Sequence, residues 1–183
     1  MVRLNFFASV LKHFGTTESK VRRLFPSERL SELTDAIKLF EQKHSAELRI
    51  IIESRLTVSE LCVNDPIISR ARHLFRFFDI WDTATNNGVL LYILVADKAV
   101  ELLCDRGLLT CVTPDVGSKI VFSITSNLAN GDGVSAILCA ISELSKVVPT
   151  KNIELKSGTV QAGTGQAGTG HSNELPNEVL FIK

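Results

Sequence analysis

The residues of this 183-residue chain best suited to chemistry are oxygen donors. Asp82, Asn86 and Asn87 fall within six residues of one another, in the stretch WDTATNNG that opens at Trp81. Asp97, Glu101, Asp105 and Asp115 follow at or near the ends of neighbouring apolar segments. Carboxylates and amides without histidine or cysteine suit calcium or magnesium rather than zinc. The spacing does not fit the twelve-residue calcium loop of a helix–loop–helix site. The competing reading is that Asp82 and Asn87 cap their own loop through local backbone hydrogen bonds. Glu47 and Glu101 offer a second chemistry. On adjacent strands, two carboxylates would raise one another's pKa, as an acid–base pair requires. Arg49 and Arg106 are competing ion-pair partners for them. Other catalytic patterns are missing. His13, His44, His73 and His171 are dispersed, and there is no GxSxG elbow or active-site cysteine motif. Asn130-Gly131-Asp132-Gly133 lacks the Gly-Lys-Ser/Thr ending of a phosphate loop and reads as a turn between helices.

These donors must be positioned by the apolar segments around them. Gly88 to Ala96 is a nearly unbroken apolar run, consistent with a strand buried on both faces. Asp97-Lys98 supplies a turn, and Ala99 to Cys104 a returning strand. AELRIIIE, from Ala46 to Glu53, is a further strand. Leu30, Leu33, Ile37 and Phe40 repeat at helical spacing after Phe25-Pro26-Ser27, where Pro26 or Ser27 suits a helix start. Ile67 to Phe78 predicts a helix with Ala71, Leu74, Phe75 and Phe78 inward and Arg70, Arg72 and Arg76 largely outward. Two more helices are expected, one from Pro114 or Asp115 to about Leu128 and one from Val134 to Val148. Helices and strands in this succession imply α/β layering.

Lys+Arg and Asp+Glu are both 20, so the chain carries no basic excess for nucleic acid. Cys62, Cys104, Cys111 and Cys139 form no CxxC pair and read as free thiols in a reducing compartment. No apolar run is long enough for a transmembrane segment, and the N-terminus lacks a signal-peptide pattern, which points to the cytoplasm. Residues 1–25 combine basic and apolar side chains, and Leu4, Phe7, Val10, Leu11 and Phe14 share one helical face. That face is expected to pack on the domain, with peripheral membrane contact or partner binding as the alternative. Residues 26–149 form the folded domain. Residues 150–172 hold QAGTG twice in tandem, at 161–165 and 166–170, and have little to bury, so a linker is expected. The tail, 173–183, opens with NELP and ends in apolar residues that suit docking back onto the domain or binding a partner.

Four pieces, taken together and in order, resemble the TPM domain family, sometimes labelled TPM phosphatase. They are Phe25-Pro26, HSAELRIIIE at 44–53, WDTATNNGVLLYILVADKAVELLCDRG at 81–107, and NELP at 173–176. The chain is most similar to short, stand-alone bacterial members. The resemblance implies a three-layer α/β/α sandwich with a small central mixed sheet flanked by helices. It nominates Asp82 and Asn87 as cation ligands first, with Asp97, Glu101 and Asp105 behind them. Glu47 and Arg49 match the family's ELR motif. Val134, Ser135 and Ala136 stand where many members have a glycine. The family is functionally mixed, so two functions are expected. One is an accessory module that binds calcium or magnesium and a protein partner, in some relatives part of a membrane-associated complex. The alternative is a metal-assisted acid phosphatase, with Asp82 as ligand, Glu47 or Asp105 as base, and Arg49 or Arg106 steadying charge.

Overall fold

A computed structural model describes residues 9–151 and 174–183. The N-terminal residues 1–8, with Leu4 and Phe7, and the tandem QAGTG segment lie outside the described residues. In chain order the elements are α1 (Glu18–Leu24), α2 (Leu30–Lys43), β1 (Glu47–Glu53), α3 (Val58–Leu61), α4 (Pro66–Phe77), β2 (Gly88–Leu94), β3 (Ala99–Cys104), α5 (Pro114–Ala129), α6 (Gly133–Val147) and β4 (Leu180–Ile182). Residues 9–14 are also helical.

The strands form one mixed sheet in the order β3-β2-β1-β4. β1 runs parallel to β2 and β4, while β2 and β3 form an antiparallel hairpin. β1 and β2 are buried along their whole length. Their apolar runs are continuous because both faces are covered. Alternation then divides the side chains between two cores. Leu48, Ile50, Ile52, Val89, Leu91 and Ile93 join the core that includes Leu33, Ile37 and Phe40 of α2 and buried residues of α5 and α6. Ile51, Leu90, Tyr92 and Leu94 join Ala71 and Leu74 of α4 on the other face. Two cores on opposite faces make this the three-layer α/β/α sandwich expected.

Local sequence explains the boundaries. Pro26 precedes a single 3-10 turn, Ser27–Arg29, that leads into α2. Thr113 accepts the Val116 N–H and Pro114 occupies the first turn of α5. Asp132 caps α6 through the Ser135 N–H at 2.9 Å, and Arg29 holds the same carboxylate at 3.0 Å. Asn130–Gly133 is the α5–α6 turn, with Gly131 at φ +89°. Two sequence expectations change. Arg70 does not point outward: it folds in and forks onto Glu53 at 2.9 and 2.7 Å, while Tyr92 donates to Glu53 at 2.7 Å. Burying that carboxylate requires the donors, which periodicity cannot register. Leu11 and Phe14, read as part of a packed apolar face, are exposed, and the residue that turns inward is His13.

Candidate functional site

The site is built at the end of the sheet where β2 begins. The loop from α4 to β2 is shaped by its own polar groups. Ile80 is buried and bonds back to Phe75 O, and the Asp82 N–H reaches Asp79 O at 3.0 Å. Thr83, also buried, accepts the Asn87 N–H on its hydroxyl at 3.0 Å and the Asn86 N–H on its carbonyl at 3.1 Å. Asp79 and Asn86 adopt left-handed conformations, with φ of 50° and 53°. Gly88 must be glycine, because a Cβ there would stand 1.8 Å from Ile80 O. Gly107, just after β3, donates to Asn86 O at 2.9 Å, and a Cβ there would stand 2.5 Å from that oxygen.

Two buried oxygens at this end have no hydrogen-bond partner among the described residues: Asn87 Oδ1 and Asp105 Oδ2. Asn87 Nδ2 donates to Ser45 O, which can only accept, and this fixes the amide's orientation with Oδ1 on the other side. Asp105 uses Oδ1 to accept the Arg106 N–H at 2.7 Å, and its own N–H reaches Gly88 O at 2.9 Å. Both residues are therefore tied to the backbone around Gly88. Asp82 lies on the same loop with its side chain exposed. Arg106 Nε donates to Asn86 Oδ1 at 3.0 Å and braces the loop.

The other nominated residues lie elsewhere. Asp97 sits at the opposite end of β2, roughly 20 Å of strand away, bound to Lys12 at 2.7 Å and His13 at 3.1 Å. Glu101 is midway along the edge strand β3, opposite Tyr92, and burial raises its pKa against the pull of Arg72. Glu47 and Glu101 are not on adjacent strands, since β2 lies between β1 and β3. Glu47 instead neighbours Glu41, which sequence reading passed over. Glu41 is buried, accepts the Leu48 N–H at 2.8 Å and binds Asn177 Nδ2. Burial, with the Glu47 carboxylate nearby, raises its pKa to about 7 against the pull of its two hydrogen bonds and Lys151. Its position four residues after Ile37, on the buried stripe of α2, is the signal that was there to read. Arg49 is engaged by the tail, donating to Pro176 O at 2.7 Å and Glu178 O at 2.9 Å, with Phe78 beneath its guanidinium.

Among the described residues, no three His, Cys, Asp or Glu side chains gather as a metal cluster. A cation at the β2 end would therefore draw on Asp105, the neutral Asn87 amide, backbone carbonyls and water. The hard-oxygen chemistry of that set fits calcium or magnesium. Surface cavities of about 640, 370 and 290 Å³ are lined by other residues. All four cysteines are free, and burial pushes the Cys104 thiol up to about 12, which disfavours its thiolate.

The model of the TPM domain matches residues 21–147. The chain belongs to the TPM domain family. This TPM domain matches no curated protein. Among solved structures it is similar to the BA42 protein of the psychrophilic bacterium Bizionia argentinensis. Identity is 22%, coverage 89% of this chain and 99% of that one, and the TM-score 0.67. It is also similar to the N-terminal domain of a P. gingivalis protein, at 14% identity, 68% and 76% coverage, and a TM-score of 0.56. At these identities the likeness speaks for the fold. No helix among the described residues is long and apolar enough to cross a membrane.

Proposed function

We propose that this TPM domain is an accessory binding module that takes a divalent cation, calcium ahead of magnesium, at the start of β2. The supporting observation is the pair of buried, unpartnered oxygens, Asn87 Oδ1 and Asp105 Oδ2, on residues tied to Gly88. A buried oxygen without a donor is unfavourable by about 1–3 kcal/mol, and a cation would offset that. Calcium accepts amide, carbonyl and carboxylate oxygens in flexible geometry, whereas magnesium demands a near-ideal octahedron. With one carboxylate in the set, the affinity belongs in the weak range, on the order of 10⁻⁴–10⁻³ M. Exposed Phe77 and Trp81 adjoin the loop and are the surface we assign to a protein partner.

The phosphatase alternative has no comparable support. Arg49 holds two tail carbonyls, and neither Glu47 nor Asp105 borders the cavities described above. Thermal melting tests the cation reading. Millimolar calcium should raise the Tm of the wild-type chain, and Asp105→Asn should abolish most of the rise. A Tm indifferent to both calcium and magnesium, or an equal rise in the variant, refutes it.

A further inference from the structure

The C-terminal segment reaches the loop that carries the proposed site. Glu174 Oε2 accepts the Ala84 N–H at 3.1 Å. Ala84 follows Thr83, whose hydroxyl and carbonyl receive the N–H groups of Asn87 and Asn86. A carboxylate from the far end of the chain thus pins the turn that orients Asn87. The segment behind it is held at successive residues. Leu175 is buried with the α4-side core, Arg49 grips the carbonyls of Pro176 and Glu178, Asn177 binds Glu41, and β4 pairs with β1. The loop needs such support, because Asp79 and Asn86 hold left-handed conformations that persist only where their surroundings over-determine them.

We propose that the segment from Glu174 to Ile182 is a brace for the β2 loop, with Glu174 as its positioning residue, so that segment docking and calcium binding reinforce one another. The calcium half rests on the cation reading above; the brace does not. A charge-assisted bond to a backbone N–H fixes the turn. Groups that orient a ligand without touching the metal change affinity by about 10–100-fold. Linkage then requires that calcium hold the segment as firmly as the segment holds the calcium site.

The test is amide hydrogen exchange and calcium titration on the full chain, comparing wild type with Glu174→Ala, Glu174→Gln and Glu174→Asp. Glu174 is exposed, so these substitutions leave the core intact. Without calcium, Glu174→Ala should speed exchange at Asn86 and Asn87 by about tenfold, the loss of one charged hydrogen bond. Gln keeps an acceptor at the same reach and should restore protection; Asp, one methylene shorter, should not. Calcium should bind Glu174→Ala about tenfold more weakly and should slow exchange across residues 180–182 in the wild type. Unchanged loop exchange in Glu174→Ala overturns the brace, whether or not calcium binds. Faster loop exchange in a wild-type background that ignores calcium supports the brace and overturns the coupling together with the cation reading. Restored exchange but Ala-like calcium binding in Glu174→Gln overturns the positioning role, because it would make Glu174 a ligand.

Discussion

Gly88 is the residue on which the site's geometry depends. A methyl group there would collide with the Ile80 carbonyl at 1.8 Å, whereas at Gly131 nothing lies within 4 Å and only the backbone angle resists. Gly88→Ala should therefore cost about 3 kcal/mol or more, or prevent folding. Gly131→Ala should cost about 1–2 kcal/mol. Urea unfolding checks the order, and equal costs would contradict the packing of Ile80 over β2. Glu41 gives a pH prediction. Its folded pKa, about 7, stands above the ordinary carboxylate value, so the fold favours the neutral acid. Its stabilising contribution is complete below about 4.5 and is lost as pH rises through 7. Wild-type stability relative to Glu41→Gln should fall across that window by up to about 3 kcal/mol. A flat difference would mean that Glu41 is ionised in the fold throughout. At this scale the sequence was partly legible. The oxygen-rich stretch Asp82–Gly88 could be read because its donors are contiguous. Glu41 could be read only as a carboxylate on the buried stripe of α2, while Glu174 and His13 could not, because each gains its role from a residue far away in sequence.

The least self-sufficient elements are the short β4 and the helical residues 9–14, each held by a buried polar anchor. Arg49 spans two carbonyls of the C-terminal segment. Both bonds leave the same nitrogen, Nη1, and Arg49→Lys places its ammonium about one bond short of that position and removes the guanidinium plane over Phe78. The segment should loosen by about 1–2 kcal/mol, seen as faster proteolysis near residues 174–183. Unchanged cleavage would show that β4 pairing alone holds it. His13 accepts the Leu56 N–H at 2.9 Å and meets Asp97 at 3.1 Å. His13→Ala leaves the buried Leu56 N–H without that partner, while Asp97 keeps Lys12, and should cost about 1–3 kcal/mol. Denaturant unfolding of the two chains reads that difference, and equal stability would make the His13 contacts incidental. Elements with strong periodicity were legible: β1, β2, β3, the buried faces of α2 and α4, and the extents of α5 and α6 follow from apolar runs and spacing. Strand order was not, since nothing local to Glu47 or Glu101 states that β2 lies between their strands. Arg70 was misplaced for the same reason, because its carboxylate partner sits on β1.

Across the whole molecule, the sheet separates two tasks. The end where β2 finishes is an anchoring end, where Asp97 binds Lys12 and His13. The end where β2 begins gathers Asn87, Asp105, the Asp82 loop and the C-terminal segment. The first is saturated with ion pairs and hydrogen bonds; the second holds the two oxygens without partners. That polarity is why a cation is expected at one end only, although Asp97 resembles Asp105 in sequence. The most direct measurement is a calcium titration of the ¹⁵N-labelled full chain followed by NMR. The Asn87 side-chain amide and the backbone amides of Gly88 and Asp105 should shift together, saturating at millimolar calcium, while those of Asp97 and Lys98 stay still. No saturable shift at Asn87, Gly88 and Asp105, or shifts centred on Asp97, would contradict a cation site at the start of β2.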